Sequence, residues 1–458
     1  MASANSCAAA AMNAPNRTID LRKGHPKPSN LPNARIMMAM AMASKRLEAN
    51  QLSLQYPPSY YGMPHFLKNL REFLHSAYNH NVFEDGLFTT NGVSHGLELC
   101  CATFTKPGDV VWIETPSYFL AHQVFLDHHL KVKGMPIDAQ GLDTDELKIL
   151  LEAANSQGNL PRMLYIVPSH GNPSGTVLPM ERRVALLALA RQYNFLVITD
   201  DVYHMLDWSD KLPRLLAFDA AFQRRQPAPD EAEEKENGGG GDAEEEEEDD
   251  AYTNFDRGAG ADILANPDAG NVISLGSFTK ILSPALRLGW LEASPALLAK
   301  VAARGYVVSG GTVAPFVSEI VNELIKPGGG LIEHLQTLNA DYKKGAAALC
   351  EALQKHPDCF ELLSQPRGGF FAWVQLPEGI SAQALLPVAE KHGVVFLPGP
   401  VCAPHAPSEA CERHIRLCFA YEEADAIAEG VERLAAAVAE MRGGAGVEER
   451  AAKSRKVE

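Results

Sequence analysis

The sequence has no long apolar run, few cysteines and no cluster of positive charge. Its 458 residues contain no apolar stretch near the roughly 20 residues that a helix needs to cross a bilayer, so no membrane span is expected. The eight cysteines form no Cys-x-x-Cys pair, which argues against a zinc site or a disulfide framework and favours a reducing compartment. With 41 Lys and Arg against 57 Asp and Glu, binding to nucleic acid is not expected either.

The N-terminal segment also lacks the features of a targeting sequence. No arginine precedes Arg17, and the first 16 residues have no basic region followed by a long apolar one. A disordered N terminus and a cytoplasmic protein are therefore expected, with import into an organelle by a short transit peptide as the alternative. The chain shows no internal repeats, and its length favours two domains over one.

One stretch, from about residue 222 to residue 262, differs in composition from the rest of the chain. Between Arg224 and Arg257 there are 14 acidic and 4 basic residues, so −10 of the net charge of −16 lies there. Such a segment cannot bury enough apolar surface to order itself. We therefore predict a disordered acidic insertion.

A lysine stands among small hydroxyl residues directly after an apolar run. The run Val272–Leu275 is typical of a buried strand; Ser277, Thr279 and Lys280 follow it, with Arg287 further along. A lysine in a desolvated pocket has a lowered pKa and can form a Schiff base with an aldehyde. Ser277 and Arg287 suit a dianionic phosphate. A lysine with a phosphate anchor is what pyridoxal 5'-phosphate (PLP) requires, but for this stretch alone a strand followed by a loop with an exposed lysine is the favoured interpretation.

The sequence around this lysine resembles the cofactor segment of fold-type I aminotransferases of class I and II. Residues 277–280 and 287–289 are similar to the Ser-Phe-Ser-Lys and Arg-Leu-Gly runs of that family. Further matching stretches follow in family order between Ile19 and Arg442, apart from the acidic insertion. The chain looks most like the group of 2-aminoadipate and aromatic aminotransferases.

The resemblance implies a cradle for the PLP phosphate. In the family, backbone amides at a turn before a helix bind this phosphate, which points to Val93 and Ser94 here. Val93 departs from the family pattern, where a serine is frequent. Ser277 and Arg287 are implied as the side chains that complete the cradle.

The resemblance also implies a homodimer, because a family tyrosine reaches the phosphate of the neighbouring subunit. Tyr56 is the first candidate for this tyrosine and Tyr61 the second, since the spacing from Tyr56 to Gly62 is one residue longer than in the family. The other implied partners are small molecules, an amino acid and a 2-oxo acid.

Four residues are implied as contacts of the PLP ring. Tyr118 matches the family residue that stacks on the ring, and Asp200 matches the carboxylate that keeps the ring nitrogen protonated. Tyr203 and Asn172 match the groups that contact the 3'-oxygen. Asp201, the next residue after Asp200, is expected to face the other side of its strand.

Substrate contacts follow from the same resemblance. Arg416, inside an apolar strand pattern, matches the clamp on the substrate α-carboxylate; Asn172 and Gly24 match residues close to that carboxylate. Arg35 is a further candidate for contact with the substrate side chain. His170 matches no family role and is interpreted as a loop residue.

The implied fold is α/β, the fold of the type I PLP transferases. A mostly parallel, seven-stranded sheet forms a large domain, and both termini build a small α/β domain. The expected division is a small-domain segment at 1–44, the large domain at 45–305, the small domain at 306–442 and a loose tail at 443–458.

The implied reaction is transamination. Lys280 holds PLP, is displaced by the amino acid, and then moves a proton from Cα to C4' of the cofactor; water releases the oxo acid, and an acceptor such as 2-oxoglutarate is aminated in reverse. A PLP-dependent C–S lyase is the alternative and differs in its products, pyruvate and ammonia. A PLP-binding regulator is disfavoured because fewer than 20 residues precede Ile19, too few for a DNA-binding domain.

Overall fold

Fourteen strands are present in the part of the chain that the structure describes. In chain order they are β1 (Ile19–Asp20), β2 (Leu87–Thr90), β3 (Val110–Thr115), β4 (Lys131–Asp138), β5 (Gly141–Leu142), β6 (Met163–Ile166), β7 (Leu196–Asp200), β8 (Val272–Ser277), β9 (Gly289–Glu292), β10 (Glu361–Leu362), β11 (Phe371–Gln375), β12 (Val394–Val395), β13 (Leu397–Pro398) and β14 (His414–Cys418).

Twelve α-helices accompany these strands within the same described residues. They are α1 (Asn33–Ala49), α2 (Pro64–Tyr78), α3 (Val93–Phe104), α4 (Phe119–Asp127), α5 (Thr144–Ser156), α6 (Met180–Tyr193), α7 (Pro295–Ala302), α8 (Gly305–Val308), α9 (Pro315–Ile325), α10 (Leu331–Gln354), α11 (Ala382–Lys391) and α12 (Ala424–Ser454). Among them, none is both long and apolar enough to cross a membrane.

This computed structural model describes residues 17–49, 54–219, 270–404, 406 and 411–454. The acidic insertion predicted at 222–262 and the N-terminal 16 residues lie outside the described residues. Helix α12 continues into the segment that was predicted to be a loose tail. The domain boundaries near residues 45, 305 and 442 stay predictions.

The large sheet has eight strands in the order β2-β9-β8-β7-β6-β3-β4-β5. The pairs between β8 and β4 are all parallel, whereas β9 and β5 pair antiparallel with their neighbours. The count is one more than the seven expected. The additional strand is the two-residue β5, which folds back on the end of β4 through Gly141, a glycine at a φ of 91° that other residues rarely adopt.

Successive residues of the central strands face opposite sides of the sheet, and both sides are covered. Every residue of β6, β7 and β8 is buried, as expected for parallel strands covered on both sides. Ile198 belongs to one apolar cluster, whereas Val197, which faces the other way, belongs to a second cluster. The sheet therefore separates two cores.

The carboxyl ends of the parallel strands meet at one edge of the sheet. Strand β7 ends at Asp200, β8 ends at Ser277, and the chain after β6 continues directly into the loop that carries Asn172. In open α/β sheets, ligands bind at this edge. The residues predicted to bind PLP are therefore brought together by the topology.

Two smaller sheets lie in the remaining part of the fold. Strands β10, β11, β14 and β13 form an antiparallel sheet, in which Arg416 of β14 lies opposite Trp373 and Leu397. Strand β1 pairs in parallel with β12, so Ile19 lies beside Val394. The N-terminal segment is thereby joined to the C-terminal half of the chain.

Candidate active site

A cavity of about 460 Å³ opens at the carboxyl edge of the large sheet. All the predicted site residues except Tyr56 line it: Gly24, Val93, Ser94, Tyr118, Asn172, Asp200, Tyr203, Ser277, Lys280, Arg287 and Arg416. The cavity wall thus combines residues from the N-terminal segment, the large sheet and β14.

Lys280 lies in the turn after β8, with its ammonium group at the cavity. Its Nζ donates a hydrogen bond to the carbonyl oxygen of Gly24 at 2.6 Å. Burial lowers the pKa of Lys280 to about 8, although the nearby Asp200 carboxylate opposes this shift. A larger fraction of Lys280 is therefore neutral near physiological pH than for an exposed lysine, as an amine nucleophile requires.

The Asp200 carboxylate is buried at the end of β7. Its Oδ2 accepts a hydrogen bond of 2.7 Å from the Tyr165 hydroxyl, whereas its Oδ1 is buried without a hydrogen-bond partner among the described residues. Burial raises the pKa of Asp200 to about 6. One carboxylate oxygen is thus left for a group that the described residues do not supply.

Asp201 faces the opposite side of the strand, as predicted. Its Oδ2 accepts hydrogen bonds from Thr199 Oγ1 at 2.7 Å and Ser274 Oγ at 2.6 Å. The two adjacent acids therefore lie in separate environments, and only Asp200 lines the cavity.

A cradle for an anion forms where α3 begins. Gly92 precedes the helix at a φ of 87°, and the first N–H groups of α3, at Val93 and Ser94, have no partner within the helix. A Cβ atom at Gly92 would lie 3.1 Å from Arg287 Nη2 and 3.7 Å from Ser277 Oγ. Arg287 is held there by a 3.1 Å hydrogen bond from Nη2 to the carbonyl oxygen of Asn91.

Arg416 is buried beside Asn172. Its Nη1 donates to Asn172 Oδ1 at 2.8 Å, its Nη2 donates to the carbonyl oxygen of Arg22 at 2.7 Å, and its guanidinium lies 4.0 Å from the centre of the Phe371 ring. The Nε atom is buried without a hydrogen-bond partner within the described ranges. The guanidinium is therefore fixed in place and still has a free N–H donor.

Gly24 lies against the same group of side chains. A Cβ atom on Gly24 would be 2.8 Å from Phe371 Cζ and 3.9 Å from Arg416 Nη2. A larger residue would push into the ring that supports Arg416. Tyr118 lies at the start of α4, and burial together with the Asp200 charge raises its pKa.

Tyr56 lies away from this cavity, and its side chain is 76% exposed. It lines a smaller cavity with Tyr60 and Gly310. The alternative candidate, Tyr61, is half-buried, with its ring 5.8 Å from that of Phe88.

Two further residues of the sequence analysis do not line the cavity. Arg35 Nη1 donates to the carbonyl oxygen of Gly330 at 3.3 Å, and its contact with a substrate side chain stays a prediction. His170 lies in a loop, as interpreted, but it is buried there, and its Nε2 lies 2.9 Å from Asp207 Oδ2. The partners of both residues are distant in sequence, so no local pattern reveals them.

Sequence reasoning also missed residues of the site. Thr279 lines the cavity, and its Oγ1 accepts a hydrogen bond of 2.8 Å from Ser277 Oγ. Its position, directly before Lys280, was a signal that could have identified it. Tyr165 lies in an apolar strand run, where a tyrosine is more often part of the core.

Comparison with known proteins identifies the family. The sequence profile described as aminotransferase class I and II matches residues 19–221 and 248–434. The chain is a class I and II aminotransferase. This result confirms the fold-type I fold and the transamination of amino acids as its activity, and it gives the alternative of a C–S lyase no support.

Related aminotransferases come from archaea and bacteria. Aromatic-amino-acid aminotransferase 1 of Thermococcus litoralis is 28% identical over 371 residues, which cover 81% of this chain and 76% of the relative. The 2-aminoadipate transaminase of Thermus thermophilus is 29% identical over 417 residues, covering 91% and 88%. The solved structure of Pyrococcus horikoshii kynurenine aminotransferase, in complex with PMP, has a TM-score of 0.75 and 26% identity over 96% of this chain and 94% of that one.

The aminotransferase uses PLP, and its residues fit this cofactor. The unpartnered Asp200 Oδ1 suits a protonated ring nitrogen, and the cradle at Gly92 suits a phosphate. Lys280, with its lowered pKa, suits attachment to an aldehyde. Each part of the cofactor thus has a matching group in one cavity.

Proposed function

We propose that this aminotransferase acts on L-amino acids with large side chains, aromatic or similar to 2-aminoadipate, and uses a 2-oxo acid such as 2-oxoglutarate as acceptor. The convergence of Lys280, Asp200 and Arg416 on one cavity is the observation that carries the proposal. Phe119, Leu120 and Leu397 add apolar surface to the same cavity and support a large side chain. The names of the three relatives agree with this range of substrates.

Within this proposal, each cofactor contact has one task. Bound PLP supplies an electron sink that stabilises negative charge at the substrate Cα. Asp200 would keep the ring nitrogen protonated, Tyr118 would stack on the ring, and Tyr203 and Asn172 would bind the 3'-oxygen. Lys280 would act as the base that takes the proton from the substrate Cα and as the acid that returns a proton.

The N terminus of α3 would hold the cofactor phosphate in this proposal. The backbone amides of Val93 and Ser94, the Ser277 hydroxyl and the Arg287 guanidinium would bind its oxygens. The positive end of the helix dipole and the guanidinium of Arg287 both attract the negatively charged phosphate at this place. Thr279 orients the Ser277 hydroxyl through their 2.8 Å hydrogen bond.

The substrate α-carboxylate is bound by Arg416 in this scheme, with Asn172 and Gly24 beside it. The guanidinium is already oriented by its bonds to Asn172 and to the Arg22 carbonyl, so little ordering is needed when substrate binds. Both the amino acid and the oxo acid carry this carboxylate, and one clamp therefore serves both half-reactions.

We further propose that the enzyme is a cytoplasmic homodimer with Tyr56 reaching the phosphate of the partner. Tyr56, Met37 and Met38 are 76%, 63% and 66% exposed, and large apolar side chains left exposed in one chain support burial at an interface. The free thiols among the described cysteines are compatible with a reducing compartment.

A substrate panel tests the proposed specificity. The purified enzyme is mixed with each standard amino acid, 2-aminoadipate or kynurenine, and the change in cofactor absorbance is followed before and after 2-oxoglutarate is added. We expect the largest kcat/KM values for aromatic amino acids, kynurenine or 2-aminoadipate. A preference for aspartate or alanine would contradict the proposal, and release of pyruvate and ammonia would indicate a lyase.

A further inference from the structure

Tyr165 contacts Asp200 from behind the cavity. Tyr165 lies in β6 opposite Ile198 of β7, and its hydroxyl extends along the strand to reach Asp200 Oδ2 at 2.7 Å. The side chain is fully buried, with its ring 5.9 Å from that of Phe125. It is not among the residues that line the cavity. The hydrogen bond to Asp200 is the direct contact between Tyr165 and a residue of the cavity wall.

Tyr165 is the donor of this hydrogen bond when Asp200 is ionised. Burial raises the pKa of the Tyr165 hydroxyl well above its ordinary value, so the tyrosine remains protonated and donates to the carboxylate. This bond favours the ionised form of Asp200, which burial alone disfavours. It also determines which carboxylate oxygen is occupied, since Oδ1 is buried without a hydrogen-bond partner among the described residues.

We propose that Tyr165 is a positioning residue of the cofactor site. Its hydroxyl holds Asp200 Oδ2, so that Asp200 stays ionised and presents Oδ1 to the protonated ring nitrogen of PLP. The inference rests on the proposed role of Asp200. The contact joins β6, the strand before the loop that carries Asn172, to the Asp200 carboxylate.

The test compares two cofactors in two proteins. The full-length enzyme and its Tyr165→Phe variant are stripped of cofactor and titrated with PLP or with 1-deaza-pyridoxal 5'-phosphate, which has a C–H group in place of the ring nitrogen. Phe fills nearly the same volume and removes only the hydroxyl. Dissociation constants are read from cofactor absorbance, without turnover.

We expect Tyr165→Phe to weaken PLP binding by about tenfold, the scale of one hydrogen bond to a charged group. Binding of the deaza analogue should be unchanged, because it makes no ion pair for Asp200 to support. Equal losses for both cofactors would show a general structural role and overturn the inference, as would no loss for either. If the unmodified enzyme binds PLP and the deaza analogue with equal affinity, the proposed role of Asp200 is wrong, and this result is distinct from a failure of the inference about Tyr165.

Tyr342→Phe is the matched control. Tyr342 is another fully buried tyrosine, on α10, and it does not line the cavity. Loss of its hydroxyl should leave both dissociation constants unchanged. Thermal melting of the two variants checks folding, and Tyr165→Leu provides a second hydroxyl-free variant if Tyr165→Phe is recovered in low yield.

Discussion

At the scale of single residues, two buried charged groups of the site have incomplete hydrogen bonding. Asp200 Oδ1 and Arg416 Nε are both buried without partners in the part of the chain that the structure describes. Unpaired buried polar groups are costly in a folded protein. A cofactor and a substrate that supply the missing partners offset this cost, so the same atoms account for binding.

Arg416→Lys tests the carboxylate clamp. Lysine keeps a positive charge but loses the planar fork and its bonds to Asn172 and the Arg22 carbonyl. We expect kcat/KM to fall by roughly ten- to more than a hundred-fold for amino acid and oxo acid alike, since one charge-assisted bond contributes about 1.5–3 kcal/mol. Steady-state kinetics with each substrate measure this loss.

The partly exposed Arg413 provides the control for this substitution. Arg413 lies three residues away and does not line the cavity, and its guanidinium is 3.9 Å from the exposed Glu378 carboxylate, so Arg413→Lys should not change kcat/KM. PLP content should be normal in both variants. An unchanged KM for both substrates in Arg416→Lys would remove Arg416 from the substrate site.

Asp200 gives the cofactor-free enzyme a defined pH dependence. Its pKa is about 6 in the folded chain against 3.8 as the ordinary value, so the folded state binds this proton more tightly than the unfolded state. Ionised Asp200 therefore destabilises the cofactor-free protein above pH 6, and the effect disappears as pH falls through 6 towards 4.

Asp200→Asn should consequently stabilise the cofactor-free protein at about pH 8, by on the order of 3 kcal/mol, and weaken PLP binding in the same protein. Urea denaturation at about pH 8 and about pH 4 measures the first effect, which should vanish at the lower pH. Cofactor titration measures the second. A variant that is less stable at the higher pH and binds PLP normally would contradict both expectations.

Local motifs predicted most of these residues, and distant contacts account for what they missed. Lys280, Asp200 and Arg287 occur in short sequence motifs, and the residue types and spacing of these motifs predict a place at the site. The Tyr165 hydroxyl bond spans 35 positions, and the His170–Asp207 contact spans 37. Such pairs depend on which strands and loops become neighbours, and the sequence of either segment alone does not determine that.

Strands were predictable from the sequence where the apolar run is continuous. The apolar run Val272–Leu275 indicated a buried strand and forms most of β8. The two-residue β5 was not predicted, because two residues carry no periodic pattern. The pairing of β1 with β12 was also invisible in the sequence, since it joins residues about 375 positions apart.

The described residues on either side of the acidic insertion meet in the fold. Asn271 N donates a hydrogen bond of 2.7 Å to Asp219 Oδ2, so the chain leaves and re-enters the described part at adjacent points. A short linker can therefore replace the intervening residues without moving β7 or β8. Loop closure depends only weakly on loop length in any case.

Replacing residues 224–257 by a short Gly-Ser linker should keep kcat within a few-fold and leave the melting temperature nearly unchanged. Activity assays and a thermal melt of the deletion variant check this. As a control, the acidic run 244–250 is replaced by neutral Gln and Asn at constant length. Loss of folding or activity on deletion, with the neutral variant unaffected, would show that the segment has a structural role.

At the scale of the whole molecule, three parts of the chain enclose the cavity. The large sheet supplies Lys280 and Asp200, the antiparallel sheet supplies Arg416, and the N-terminal segment supplies Gly24. Lys280 Nζ bonds directly to the Gly24 carbonyl, which ties the first of these parts to the last. Only Tyr56, among the predicted cofactor contacts, lies elsewhere.

Mixed dimers test whether Tyr56 acts across subunits. A Tyr56→Phe subunit keeps Lys280, and a Lys280→Ala subunit keeps Tyr56, so a mixed dimer has one complete site only if the tyrosine comes from the partner. Tyr56→Phe alone should weaken PLP binding by about tenfold, the scale of one charge-assisted hydrogen bond. Activity at limiting PLP should then exceed the sum of the two separate variants after mixing. Activity after mixing that only equals the sum of the two separate variants would contradict the shared site.

The central claim is that PLP is held by Lys280 in a transaminating site. The most direct measurement is borohydride reduction of the enzyme with its cofactor, followed by peptide mapping, with Lys280→Ala as the comparison. We expect the reduced adduct on the peptide that contains Lys280, and a Lys280→Ala protein that folds and retains cofactor but has no turnover. An adduct on any other lysine, or full activity in Lys280→Ala, would contradict the account.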